Sequence, residues 1–253
     1  MLQAGFTAAL GIKAQQQRMD VLSGNVANVN TNGYKSEHVE FRDALYETLR
    51  SPVPADEDVN LRRGHGAMTV TTNRDFTPGI MQQTGSETDF YLDGEGFFAI
   101  GMQDGRMLYT RDGGFQKSVE ADGAYLVTAQ GNYVLDVNGN RIRIQGNQMY
   151  VSRDGMISAG ENTLPYAQIQ IVRFENQKGL EAVESNLYQA TAASGAGMAA
   201  NGQTEVIQKA VEGSNVNLAE EFTALIRTQK AFAFASRALS QADEMDGTAN
   251  ALR

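Results

Sequence analysis

The sequence predicts an α+β chain with a helix at each end and a mainly antiparallel, β-rich middle. Three observations predict it. Nineteen of the 26 glycines fall between Gly79 and Gly213, and the last 40 residues hold one, Gly247. The four prolines, Pro52, Pro54, Pro78 and Pro165, all lie between the two ends. Apolar residues recur at helical spacing at both ends, whereas the middle breaks into short apolar pieces bounded by turn residues. At 253 residues the chain has room for one or two domains and a substantial core. These shifts divide it into an N-terminal helix and loop (1–35), a polar extended linker (36–78), a β-rich domain (79–213) and a C-terminal helix (214–253).

The first segment places Ala8, Ile12, Gln15, Met19, Leu22, Val26 and Val29 at alternating steps of four and three, on one helix face. Gly5, Gly11 and Gly24 each weaken that helix by about 1 kcal/mol relative to alanine. Alone it is expected to be marginal. It ends at Asn28-Val-Asn-Thr-Asn-Gly33, where Asn-Gly signals a turn or a left-handed cap.

The middle carries Phe90-Tyr-Leu92, Phe97-Phe-Ala-Ile100, Met107-Leu-Tyr-Thr110, Tyr125-Leu-Val-Thr128 and Tyr133-Val-Leu-Asp-Val137. Asp93-Gly94, Asp122-Gly123 and Asn138-Gly139 separate such pieces and suit the primed turns of hairpins. Arg141-Ile-Arg-Ile144 alternates with period two, and Gln168–Phe174 reads as one further strand. No long helical pattern intervenes, so the sheet is expected to be mainly antiparallel.

The last segment opens with Asn217 and, three residues on, Glu220, a capping-box pattern. Two stripes follow. One is Leu218, Phe222, Leu225, Gln229, Phe232, Ser236 and Leu239. The other, mostly alanine, is Ala231, Ala235, Ala238, Ala242, Met245, Ala249 and Leu252. Two apolar faces exceed what a single partner helix buries. Either the helix is buried within its own domain, or it lies between several chains.

Composition narrows the chemistry. Twenty-one basic against 30 acidic residues give a net charge of −9, with +2 in residues 1–35, −1 in 214–253 and −10 between them. That balance argues against nucleic-acid binding. The absence of cysteine excludes disulfides, thiolate metal sites and a thiol nucleophile. No apolar run approaches a membrane span, and no conventional secretory signal is expected at the N-terminus. Gly94-Glu-Gly96-Phe-Phe-Ala99 fits a dinucleotide pattern formally, but an apolar strand follows where a helix is needed. His38 and His65 lack the partners of a metal site, and Asp136–Asn140 lacks the ligand order of a calcium loop. Asp56-Glu-Asp58 and Glu220-Glu221 read as solvated charge. We therefore expect no catalytic residues, no metal and no cofactor.

Asn25-Val-Ala-Asn-Val-Asn-Thr-Asn-Gly-Tyr-Lys35 resembles the N-terminal signature of flagellar axial proteins, the rod and hook proteins. Asn25, Ala27, Asn28, Thr31, Gly33, Tyr34 and Lys35 match it, and Gly24 departs from its usual asparagine. Further family-like stretches follow in order: Gly94-Glu-Gly-Phe-Phe98, Tyr109-Thr-Arg-Asp-Gly-Gly-Phe115, Asp122–Thr128, Phe174–Glu181, Asn186-Leu-Tyr188, Glu212-Gly-Ser-Asn-Val216 and Gln229-Lys-Ala-Phe232. The resemblance spans nearly the whole chain. Phe41–Pro52 and the polar stretch to Gly64-His-Gly66 resemble the distal rod type most, with the proximal rod type next.

The resemblance implies a structural subunit of the flagellar basal-body rod, exported through the flagellar type III apparatus. Its terminal helices would pair in a coiled-coil-like inner layer and polymerise with further copies into a tubular shaft through the periplasm. The β-rich middle would form the outer layer. Partners would be other copies of the chain and the neighbouring rod and hook proteins. The implied assembly residues are Ile12, Met19, Leu22, Asn25, Val26, Asn28, Thr31, Gly33, Tyr34 and Lys35 at the N-terminal end. At the C-terminal end they are Ser214, Asn215, Val216, Phe222, Leu225, Gln229, Phe232 and Leu239. A reading of a different class is a secreted β-rich binding module, which would expose aromatics among Tyr125, Tyr133, Tyr150, Tyr166 and Tyr188.

Overall fold

The computed structural model describes residues 2–43, 46–48, 62–64, 67–102, 104–146, 148–160, 163–184, 186–200, 202 and 204–251. The chain forms two compact units. One comprises Met1–Ala27, Glu37–Arg74 and Asn217–Arg253, and the other Asn28–Ser36 and Asp75–Val216. We refer to them as the helical unit and the β unit. His65 lies outside the described residues.

In the helical unit, α1 (Leu2–Ala27) and α2 (Leu218–Ala251) pack against each other. They run antiparallel. Asn25, near the end of α1, bonds Glu221 in the first turns of α2, and Gly5 lies against Leu239 farther along α2. Ala8, Ile12, Gln15, Met19, Leu22 and Val26 are covered on α1, as the spacing predicts, whereas Val29 lies beyond the helix, and Leu10, Ala14, Val21 and Asn25 are covered off that line. Asn217 caps α2 through a bond from the Ala219 N–H to its Oδ1, 3.2 Å. The covered line of α2 is Glu221, Leu225, Thr228, Phe232, Ala235, Leu239, Ala242 and Asp246, again at steps of four and three.

This line differs from both expected stripes. It takes Leu225, Phe232 and Leu239 from one and Ala235 and Ala242 from the other, and leaves Leu218, Phe222 and Gln229 exposed. One neighbouring helix covers one seam, so the flanks of a broad apolar surface stay open. Among described residues, no helix is long and apolar enough to cross a membrane.

The segment read as a linker is not without structure. Glu37–Asp43 pairs antiparallel with Ala67–Arg74, and Tyr46–Thr48 with Arg62–Gly64. Along the first strand, Glu37, Val39 and Phe41 are half-buried while His38, Glu40 and Arg42 are exposed, the period-two alternation of a half-covered strand. Both longer strands pack on α1. The unit boundaries therefore fall at 27/28, 36/37, 74/75 and 216/217 rather than at 35, 78 and 213.

Every strand pairing described in the β unit is antiparallel. Its main sheet has ten strands, with Phe97–Gly101 and Met107–Thr110 at the centre. Phe97–Gly101 is covered on both faces. Phe98 and Ile100 join one core with Phe90, Leu92, Leu108 and Leu126. Phe97 and Ala99 join a second with Tyr109, Phe174 and Tyr188, where the Tyr109 and Phe174 rings meet edge-on at 4.8 Å. Double coverage explains the uninterrupted apolar run, and Gly94 and Gly96 lead into this strand rather than into a helix.

Gln168–Phe174 departs from the single strand expected. It divides into Ala167–Gln168 and Ile171–Arg173, which pair with different neighbours, Met156–Ile157 and Phe97–Phe98.

Candidate functional site

The residues singled out by the sequence fall into two clusters, one in each unit. In the helical unit Asn25 is fully buried. Its Oδ1 accepts the Glu37 N–H at 2.9 Å and its Nδ2 donates to the Glu37 carbonyl, also at 2.9 Å. This reproduces a peptide-to-peptide pair with a side chain. Nδ2 also donates to Glu221 Oε1 at 3.2 Å. One amide thus ties the end of α1, the start of a strand and the first turns of α2. Leu22 is buried nearby on the covered line, and Ile12, Met19, Val26, Leu225, Phe232 and Leu239 are half-buried on the same seam. Phe222 is 45% exposed.

In the β unit the loop 28–36 and the segment 212–216 meet. Asn28 opens a turn in which its carbonyl and its Oδ1 accept the Thr31 N–H and hydroxyl, each at 3.1 Å. The turn leads to Gly33, at φ +67°, whose N–H donates to the Glu212 carbonyl at 2.7 Å. A Cβ at Gly33 would lie 2.4 Å from the Asp112 nitrogen, so this position needs glycine for both its torsion and its clearance. Tyr34 is buried beside it. Asn186 donates to the Asn32 carbonyl at 2.8 Å.

Lys35 carries the chemistry of this cluster. Its side chain is 0% exposed and its Nζ donates to Glu212 Oε1 at 2.6 Å and to the Thr77 carbonyl at 2.7 Å. Glu212, 1% exposed, also accepts the Gly79 N–H at 2.8 Å. Its second oxygen lies 3.5 Å from Arg111, itself 3% exposed. Arg111 donates to the carbonyls of Leu92 at 3.3 Å and Gly94 at 2.6 Å, and its guanidinium lies over the Phe97 ring. Two cations thus share one buried carboxylate.

Burial lowers the pKa of Lys35, and Glu212 only partly opposes that shift. Burial likewise lowers the pKa of Arg111 and raises that of Asp112. Asn215 completes the cluster. Its Oδ1 accepts the Ser36 N–H at 2.8 Å, and its Nδ2 donates to the Asp75 carbonyl at 2.8 Å. Ser214 accepts the Val216 N–H at 3.3 Å.

Four of the motifs therefore converge: the N-terminal signature, Tyr109–Phe115, Asn186-Leu-Tyr188 and Glu212–Val216. Sequence reasoning named Lys35 and Asn215 but passed over Arg111 and Glu212. The available signal was a carboxylate in the otherwise apolar Ala210-Val-Glu212 strand. Of the aromatics of the binding-module reading, only Tyr125 and Tyr133 meet, edge-on at 5.9 Å, among the described ring contacts. Tyr188 is buried against Phe76 and Phe97, Tyr125, Tyr133 and Tyr166 are half-buried, and Tyr150 is exposed. Among described residues no group of three or more histidines or carboxylates could hold a metal.

Comparison with known proteins accounts for the same segments. Residues 7–35 match the "Flagella basal body rod protein" family model. Residues 91–159 match the "Flagellar hook protein FlgE/F/G D1 domain". Residues 207–252 match the "Flagellar basal body rod FlgEFG protein C-terminal" model. The chain is 38% identical to the flagellar basal-body rod protein FlgG of Borreliella burgdorferi, over 100% of this chain and 99% of that one. It is 35% identical to FlgG of Caulobacter vibrioides over 100% of both chains, and 34% identical to FlgG of Bacillus subtilis over 97% of both.

These matches define a structural protein of the bacterial flagellar axis. The chain belongs to the flagellar basal-body rod protein family, and the full-length relatives named above are all flagellar basal-body rod proteins FlgG.

Proposed function

We propose that this chain is a structural subunit of the distal rod of the flagellar basal body. On this reading it polymerises through its terminal helices into a tubular shaft that transmits torque from motor to hook. The observation that carries the reading is full-length similarity to FlgG rod proteins, both helical ends included. The open flanks of α2 support it. Leu218, Phe222, Ile226, Phe234 and Met245 remain exposed once α1 and α2 have covered their common seam. Covering the exposed half of one such side chain contributes about 0.7–1.5 kcal/mol. Contacts that do not close on themselves repeat along a filament, so modest contributions recur at every subunit.

The helices would then form the coiled-coil-like inner layer of the rod, as the steps of four and three on both seams suggest. The β unit would face outward. The chain would contact other copies of itself and adjoining rod and hook proteins after export through the flagellar type III apparatus. Cryo-electron microscopy of basal bodies from a strain carrying a tag in the 138–139 turn tests this. Tag density should form a helical array around the distal rod; density confined to the hook or to the proximal rod refutes the assignment.

A further inference from the structure

We propose that Glu212 is a latch. It makes docking of the N-terminal loop 28–36 conditional on the C-terminal segment 212–215, and its loss releases that loop while the main β sheet stays folded. The inference concerns the β unit alone and stands whether or not the rod assignment holds.

Lys35 and Arg111 are both buried, and the same carboxylate lies against both. A buried cation without its counter-charge is strongly destabilising, so removing the carboxylate leaves one of the two to reach water, or Lys35 to give up its proton in place. They are not equally free to do so. Arg111 follows directly on the central strand Met107–Thr110, donates to two carbonyls and lies over the Phe97 ring. Freeing it would open the sheet. Lys35 sits on a nine-residue loop, and besides the carboxylate it bonds the Thr77 carbonyl. Lifting the loop solvates Lys35 without breaking a strand pairing of the ten-stranded sheet.

The loop's remaining anchors point the same way. Gly33 bonds the Glu212 carbonyl, and Ser36 bonds Asn215, 179 positions along the chain. Outside 212–215 the loop is tied by the bond from Asn186 to the Asn32 carbonyl, by the Asp75 N–H to the Ser36 carbonyl at 2.9 Å, and by Lys35 to the Thr77 carbonyl. The segment 212–215 therefore supplies both the counter-charge and two of the backbone ties. A chain whose C-terminal segment is not in place has the means to fold its sheet but not to seat its signature loop.

Hydrogen exchange on the full chain tests this, read by mass spectrometry on peptides covering 28–36 and 97–110. Glu212→Gln should speed exchange in 28–36 by about tenfold or more while 97–110 keeps its protection. Removing the stranded cation as well, in Glu212→Gln with Lys35→Met, should recover most of the lost protection. In the unaltered chain at low urea, 28–36 should open before 97–110. Undiminished protection of 28–36 in Glu212→Gln, or failure of the double variant to recover it, overturns the proposal. Joint opening of loop and sheet in both Glu212→Gln and the unaltered chain overturns it too, because the loop would then be an inseparable part of the sheet.

Discussion

Gly33→Ala tests the packing of the signature loop with an internal control. The added Cβ would approach the Asp112 nitrogen at 2.4 Å, the Arg111 carbonyl carbon at 2.6 Å and the Asp112 Cα at 2.7 Å. These are backbone atoms, so no rotamer change relieves the contact. The left-handed torsion adds about 1–2 kcal/mol for any residue with a Cβ. Overpacking adds about 1–3 kcal/mol. The expected loss is therefore about 2–5 kcal/mol, capped at the free energy that holds the loop in place, since the loop can lift away. Gly139→Ala is the control, because Gly139 has a similar φ of +76° with nothing within 4 Å of its added Cβ. It should cost only the torsional part. Urea unfolding of the β unit measures both, and loop exchange reports whether the loop has been released. If the two variants fall within about 0.5 kcal/mol of each other and the loop stays protected, Gly33 is a turn glycine like any other and the close approach to Arg111 and Asp112 carries no weight.

Two further predictions follow from the buried polar groups. Asn25→Ala strands the Glu37 backbone groups and one Glu221 oxygen, and should destabilise the helical unit by about 2–4 kcal/mol. Far-UV ellipticity should then be lost at lower temperature with the β unit's unfolding unchanged; an unaltered helix melt contradicts the triple tie. The pH prediction concerns Lys35, whose pKa burial lowers from 10.5. Between that lowered value and 10.5 the unfolded chain holds the proton and the folded chain does not, so stability contributed by this group rises with pH across the window. The difference in urea stability between the unaltered chain and Lys35→Met should grow in favour of the former over that range, whereas a flat difference shows Lys35 to be unshifted.

Local signals account for what the sequence made legible. Both helices, their covered α1 line and the Asn217 cap follow from spacing and from residues adjacent in the chain. The antiparallel middle follows from Asp-Gly and Asn-Gly turns. What stayed hidden is long-range. Lys35 and Glu212 are 177 positions apart, and nothing near either residue names its partner. Strands of two residues, such as Tyr133–Val134 and Arg143–Ile144, exist because a neighbour pairs them, so their limits are set by the fold. The strand Glu37–Asp43 did carry a local signal, the alternation of Val39 and Phe41 with His38, Glu40 and Arg42, which the polar composition around it concealed. On α2, periodicity marked two apolar faces, but only the packing of α1 decides which residues between them form the seam.

The central claim is that the open flank of α2 serves assembly rather than the fold of the isolated chain. Phe222→Ser, alone and with Ile226→Ser, addresses it most directly. These side chains are 45% and 53% exposed, so about half of each is covered in the monomer, and each change should shift the unfolding of purified monomer by about 1 kcal/mol, too little to unfold it. In a rod that covers their exposed half, each contact so weakened loses about 0.7–1.5 kcal/mol at every subunit. The measurement pairs monomer stability with the amount of the variant in purified basal bodies. The account predicts near-normal stability with little incorporation and lost motility. Normal incorporation of a stably folded variant, or unfolding of the monomer by Phe222→Ser alone, would contradict it.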